Sequence, residues 1–204
     1  MKVLCYDIGG TNIKYAIVKD GKILEKTMFA TNYKRGHKDV TDRLLATAKK
    51  VQKKHTDLNG IAISCAGSIN FDEGVMITPP EAIPQFGDWN FSKLFKDELG
   101  LDIVADNDVN SFAACECKMG AGSKCKTYLV MTVGTGICGA IVVNNTIWRG
   151  NNYNAGEIGR MLIDGVRWER IASMSALLKS AKLRGLNVES GKDVFDLYDA
   201  GDPI

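Results

Sequence analysis

Close to the start of the chain, Asp7-Ile8-Gly9-Gly10-Thr11-Asn12-Ile13-Lys14 gathers two glycines, a hydroxyl, a carboxylate and a cation around one turn. These are the residue types that hold a polyphosphate. Gly9 and Gly10 place no side chain between the backbone N–H groups and an anion, Thr11 adds a hydroxyl donor, and Asp7 supplies a carboxylate suited to a magnesium ion or its water. Asn12 and Lys14 complete the set of candidate nucleotide contacts. The apolar run at residues 3–6 reads as a buried strand, and Ile13, Tyr15, Ile17 and Val18 resume a strand pattern after the turn. The expected element is therefore a hairpin tip with a turn that only glycine can make. Taken alone, such a turn is equally consistent with an ordinary tight hairpin.

A second segment repeats the pattern. Residues 128–131 form another apolar strand run, followed by Thr132-Val133-Gly134-Thr135-Gly136, a second strand at residues 140–143 and a polar Asn144-Asn145 turn. Two phosphate-binding hairpins on two similar halves would grip a nucleotide and leave room for a second substrate. Thr132, Gly134, Thr135 and Gly136 are thus the second group of nucleotide-binding candidates. A third group lies where residues 101–105, an apolar strand, lead through Asp106-Asn107-Asp108 into a helix expected over residues 109–119. Asp108 is placed at the helix N-cap. A carboxylate at the positive end of a helix stays ionised and could accept a proton from a hydroxyl; the plain alternative is a capping residue only.

These motifs together resemble the ROK sugar kinases, within the actin and hexokinase superfamily, over essentially the whole chain. The resemblance rests on Asp7-Ile-Gly-Gly-Thr-Asn and Thr132-Val-Gly-Thr-Gly-Ile-Cys-Gly as the two phosphate motifs. It also rests on Asp106-Asn-Asp-Val-Asn as the catalytic loop and Ala155-Gly-Glu-Ile-Gly as the sugar loop. It implies an α/β, two-lobed actin/hexokinase-like (ribonuclease H-like) fold, with a first lobe over residues 1–105 and a second over 106–204. It implies an ATP- and magnesium-dependent transfer of the γ-phosphate to a hexose hydroxyl, O6 for preference, with Asp108 as general base. Asn107, Glu157, Glu169, Arg160 and Gly67 are the implied sugar-site residues. The expected partners are a sugar and ATP, with a homodimer as an open assembly.

The sequence departs from the family pattern at one place. Arg160 stands where most relatives have histidine, and no cysteine-rich zinc loop follows it. The six cysteines contain no C-x-x-C pair, and the only histidines are His37 and His55, so no structural zinc is expected. Asp164-Gly165-Val166-Arg167 instead runs directly into Trp168-Glu169, a shortened loop that retains the glutamate. Arg160 either takes part of the histidine's orienting role or is simply an ion-paired arginine. Residues 78–90, with three prolines, read as an irregular loop that by family position closes over the sugar. Relatives extend roughly 90 residues past the match to Ile204, so the second lobe is expected to be incomplete.

Composition narrows the classes. A net charge of +2 with 45% hydrophobic residues gives no broad basic field for nucleic acid. Lys49, Lys50, Lys53 and Lys54 share a helix with Val40, Leu44, Ala48 and Val51 on its other face, which reads as a solvated surface. No long apolar stretch suggests a membrane span, and scattered unpaired cysteines suit a reducing cytoplasm. The family's DNA-binding repressors carry a helix-turn-helix before the first phosphate motif, and none precedes Asp7 here. A sugar-binding or regulatory protein without catalysis is the remaining alternative.

Overall fold

The computed structural model describes residues 1–80, 83–87 and 89–201. Glu81, Ala82 and Asp88 of the expected 78–90 loop, and residues 202–204 at the chain end, lie outside them. The chain divides into two compact units, Met1–Phe112 and Ala113–Ile204. Asp106 and Asp108, expected to open the second lobe, are thereby part of the first unit.

In the first unit a five-stranded sheet is built from β1 (Lys2–Ile8), β2 (Asn12–Lys19), β3 (Lys22–Ala30), β4 (Gly60–Cys65) and β7 (Asp102–Asn107) in the order β3-β2-β1-β4-β7. The first three strands form an antiparallel meander, and β1, β4 and β7 run parallel. Alternation buries Leu4, Tyr6 and Ile8 of β1, and Ile61, Ile63 and Cys65 of β4, on one face. Against that face packs α1 (His37–Lys54), whose buried Val40, Leu44, Ala48 and Val51 recur at helical spacing and leave the lysines outward, as expected. The Tyr6 hydroxyl donates to the Leu44 carbonyl at 2.9 Å and ties sheet to helix. A small hairpin of β5 (Ser68–Asn70) and β6 (Val75–Thr78) follows β4. Helix α2 (Phe91–Leu99) begins at Asn90, whose side chain accepts from Lys93 N, and ends at Gly100 in the left-handed region. The described part of the 78–90 loop is anchored: Ile83, Phe86 and Trp89 are buried, and Trp89 Nε1 donates to Thr41 Oγ1 at 2.8 Å.

Helix α3 (Asp108–Met119) contains the division between the units. The second unit holds an antiparallel sheet of β8 (Tyr128–Val133), β9 (Ile137–Val143) and β10 (Thr146–Trp148) in the order β10-β9-β8. The internal repeat is visible in the backbone. Each hairpin pair joins its first two strands by a glycine-threonine turn, and its next two by a two-residue turn with both residues at positive φ, Asp20-Gly21 and Asn144-Asn145. A short hairpin, β11 (Leu162–Ile163) and β12 (Val166–Arg167), follows. After it come α4 (Glu169–Ala172), α5 (Met174–Leu183) and α6 (Gly191–Asp199). Ala181, Val188 and Val194 form the core between α5 and α6. Among the described residues no helix is long and apolar enough to cross a membrane.

Candidate active site

The first unit carries one cluster. Asp7 lies at the end of β1, Gly9-Gly10-Thr11 form the turn, and Asn12 and Lys14 begin β2. The antiparallel register sets Lys14 opposite Asp7, and Lys14 Nζ approaches Asp7 Oδ2 at 3.1 Å. Gly10, Thr11 and Asn12 are exposed. One expectation is corrected here. Neither Gly9 nor Gly10 has positive φ, so backbone conformation does not require glycine. What Gly9 avoids is a close contact, since a Cβ there would lie 3.0 Å from the Asn12 carbonyl oxygen; at Gly10 the nearest atom would be an ordinary 3.6 Å away. Gly10 and Thr11 open onto a depression of about 390 Å³ whose other walls include Lys34 and Arg35, cations the sequence reading did not select.

Asp108 sits on the same sheet end. Parallel pairing aligns Asp7 with Ser64 and Ser64 with Asp106, and in the next row Ile8 with Cys65 and Cys65 with Asn107. The end of β7 therefore delivers Asn107 and Asp108 to the same end of the sheet as Asp7, with β4 between the two strands. Burial pushes the Asp108 carboxyl above its ordinary value; the bond it accepts from Val109 N, at 2.9 Å, opposes this, and the charge of Asp7 adds to the rise. The lowering effect of the helix amide on this carboxyl is thus outweighed by burial. The buried Cys65 thiol is likewise pushed up, by burial first and then by the charges of Asp108 and Asp7.

The capping residue is Asn107, one position earlier than expected. Its Oδ1 accepts from Val109 N at 2.8 Å and from Asn110 N at 3.1 Å, while its Nδ2 donates to the Gly67 carbonyl at 2.9 Å. Its oxygen accepts from two helix amides, and its amide, besides the bond to Gly67, faces the Asp108 carboxyl and lowers that group's pKa. Gly67 has φ 100°, and a Cβ there would meet the Thr78 carbonyl oxygen at 2.5 Å. That glycine presents its carbonyl to Asn107, which in turn fixes the helix start. Asp106, quoted in the motif but not selected, is buried and accepts from Asn107 N at 2.8 Å.

The second unit carries the other cluster. Thr132 lies on β8, and Gly134, Thr135 and Gly136 form the turn into β9. Gly134 N donates to Gly136 O at 2.9 Å, and Gly134 O accepts from Met174 N, the first residue of α5, at 2.8 Å. Gly134 and Thr135 are exposed. A Cβ on Gly136 would fall 2.8 Å from Glu169 Oε2, so the glutamate is set directly against this turn.

Glu157 is fixed by the glycines on either side of it. A Cβ on Gly156 would lie 1.9 Å from the Gly139 carbonyl oxygen, and one on Gly159 would lie 2.0 Å from that of Ile137. Backbone thus packs on backbone, closed by the 2.8 Å bond from Gly139 N to Gly156 O. Arg160 Nε reaches Glu157 Oε2 at 3.0 Å, so the arginine is ion-paired to the candidate sugar ligand itself. At the position of the expected shortened loop, Asp164 and Gly165 form a two-residue turn at positive φ between β11 and β12, which leads straight to Glu169. Arg167 Nη1 lies 3.9 Å from Glu169 Oε1. Among the described residues, no three His, Cys, Asp or Glu side chains are grouped to hold a metal ion.

The sequence model of the ROK family matches residues 3–204. A β-glucoside kinase of Klebsiella pneumoniae is 34% identical over 216 aligned residues, which cover all of this chain and 71% of that protein. Among solved structures, a ROK hexokinase from Thermus thermophilus superposes with a TM-score of 0.80 at 27% identity, covering 100% of this chain and 70% of that one. A ROK family glucokinase from Streptomyces griseus, in complex with glucose and AMPPNP, gives 0.77 at 27% identity over 91% of this chain and 61% of that one.

Proposed function

The chain belongs to the ROK family and is an ATP-dependent sugar kinase of the actin/hexokinase-like fold, and from that premise we propose that it phosphorylates a hexose on O6 with Asp108 as the base. The observation that carries this reading is the placing of Asp108, first residue of α3, at the same sheet end as Asp7 and its glycine turn, with burial raising its carboxyl. A raised carboxyl is a better proton acceptor than an ordinary one, provided it is ionised at working pH. In the step, the sugar oxygen bonds to the γ-phosphorus as the bond to the bridging oxygen of ADP breaks. The hydroxyl proton passes to Asp108. Positioning and charge stabilisation carry most of such a transfer.

Each unit contributes its own groups. The N–H groups of the exposed Gly10 and Thr11 in the first turn and of the exposed Thr135 in the second are the phosphate donors, with Lys14, Thr11, Thr132 and Thr135 beside them; the N–H groups of Gly9 and Gly134 close the turns on Asn12 and Gly136. Asp7 is half exposed, with Lys14 on Oδ2, which suits a magnesium ion held through water. When bound, magnesium neutralises charge on the phosphates. Glu157 and Glu169 accept bonds from sugar hydroxyls, each carboxylate taking two adjacent OH groups. Asn107 caps the helix and holds the Asp108 carboxyl, and lies where it reaches the sugar as well.

The relatives named for glucose, hexose and β-glucoside phosphorylation set the substrate panel. Coupled ADP release with Mg-ATP is measured against glucose, cellobiose, N-acetylmannosamine, N-acetylglucosamine and fructose, and against the 6-deoxy analogue of any sugar that turns over. Turnover on a hexose that vanishes with its 6-deoxy analogue is expected. Turnover that survives loss of O6 would refute the O6 assignment, and sugar binding without ADP release would favour a non-catalytic binding protein.

A further inference from the structure

Behind the Gly9-Gly10-Thr11 turn stands Thr31, the first residue after β3, with no exposure to solvent. Its Oγ1 donates to the Gly9 carbonyl at 2.6 Å, and its backbone N–H donates to the Thr11 carbonyl at 2.8 Å. Both carbonyls of the turn are therefore drawn to one residue. In a trans peptide the N–H points opposite to its C=O, and the described residues include no cis bond. Holding Gly9 C=O toward Thr31 thus aims Gly10 N–H away from it; holding Thr11 C=O does the same for Asn12 N–H. Thr31 sets the direction of the donors without touching what they bind.

Thr31 is itself held. Arg43 of α1 donates through Nη1 to the Ala30 carbonyl at 2.6 Å and through Nη2 to the Thr31 carbonyl. Its Nε donates to Asp39 Oδ2 at 2.8 Å, and its guanidinium carbon lies 5.2 Å from the centre of the Phe29 ring. Each guanidinium nitrogen donates one bond, and the planar group is seated on an aromatic face. The chain of contacts runs from the rigid α1 through Arg43 and Thr31 to the turn. Nothing in the sequence marks Thr31 or ties Arg43 to it, because the bonds that join them to each other and to the turn go to backbone carbonyls.

We propose that Thr31, seated by Arg43, is the positioning residue that pre-orients the first phosphate turn and so sets affinity for the nucleotide but not for the sugar. This rests on the reading of that turn as a nucleotide site. A glycine-rich turn is free to adopt many conformations, and an oriented donor needs no reorganisation when an anion arrives.

The test is titration calorimetry of the full chain with Mg-ATP and, separately, with the sugar that it phosphorylates, alongside thermal melting. Thr31→Val removes the hydroxyl at nearly constant volume, and Thr31→Ser keeps it. The expected result is about a five- to ten-fold weaker Kd for Mg-ATP in Thr31→Val. Sugar Kd should stay within about two-fold, and Thr31→Ser should lie within about two-fold of wild type for both. Arg43→Lys, which cannot form the fork, should weaken Mg-ATP in the same selective way and carries the test if Thr31→Val does not fold. Unchanged Mg-ATP affinity, or equal loss for nucleotide and sugar, overturns the proposal. Wild type that binds the sugar but no Mg-ATP overturns the nucleotide site itself, which the wild-type titration alone distinguishes.

Discussion

Gly156→Ala should damage sugar binding through backbone geometry alone. The added Cβ would fall 1.9 Å from the Gly139 carbonyl oxygen, so the loop must retreat by more than about 1 Å to reach even a tight contact. That retreat breaks the 2.8 Å bond from Gly139 N to Gly156 O. A hydrogen bond of this kind contributes about 1 kcal/mol and overpacking costs about 1–3 kcal/mol, so stability should fall by about 2–4 kcal/mol. Glu157 is the next residue and moves with the loop. A hydrogen bond to a charged group is worth about 1.5–3 kcal/mol, so loss of one raises the sugar KM by at least about ten-fold. Urea unfolding reads the first quantity and steady-state kinetics with varied sugar the second. The ATP KM should change little. Gly156→Ala with wild-type stability and wild-type sugar KM would refute the reasoning that close backbone approach fixes the glutamate.

Other outcomes follow from the same geometry. Carboxyl ¹³C titration should place Asp108 above free aspartate, and Asp7→Asn, which removes a charge that raises it, should move its titration to lower pH. A rise in Asp7→Asn would contradict the assigned sign. Glu157→Gln and Glu169→Gln should each raise sugar KM by about ten-fold while leaving Mg-ATP affinity within about two-fold, checked by kinetics and calorimetry.

Much of this architecture was legible from local pattern. Strand alternation and the paired glycine-threonine turns place both hairpins, and the four apolar residues of α1 predict which face is buried. Such features depend on neighbours in sequence. What escaped the sequence depends on contacts made across it. Gly156 and Gly159 stand in the sequence only as neighbours of Glu157 in the sugar-loop motif, yet they admit the carbonyls of Gly139 and Ile137. Asn107 read as a sugar ligand beside a capping Asp108, yet Asn107 takes the cap because its Oδ1 reaches two helix amides. Gly9 and Gly10 read as conformational necessities, and their φ values show that open access and one close contact decide them. Arg160, left between two roles, is ion-paired, and its partner is Glu157.

Asp108→Asn tests the central claim most directly. Asparagine is nearly isosteric and can still accept from Val109 N, so the helix start is retained. For an acid whose folded pKa is raised, the ionised form weakens folding at pH above the unfolded value, so a neutral amide should leave Tm at pH 7 equal or higher. Coupled ADP release with Mg-ATP and the sugar should fall by about 10²–10⁴-fold in kcat, the range of a lost general base, with both substrates still bound. An Asp108→Asn protein that keeps its fold and its turnover would contradict the account.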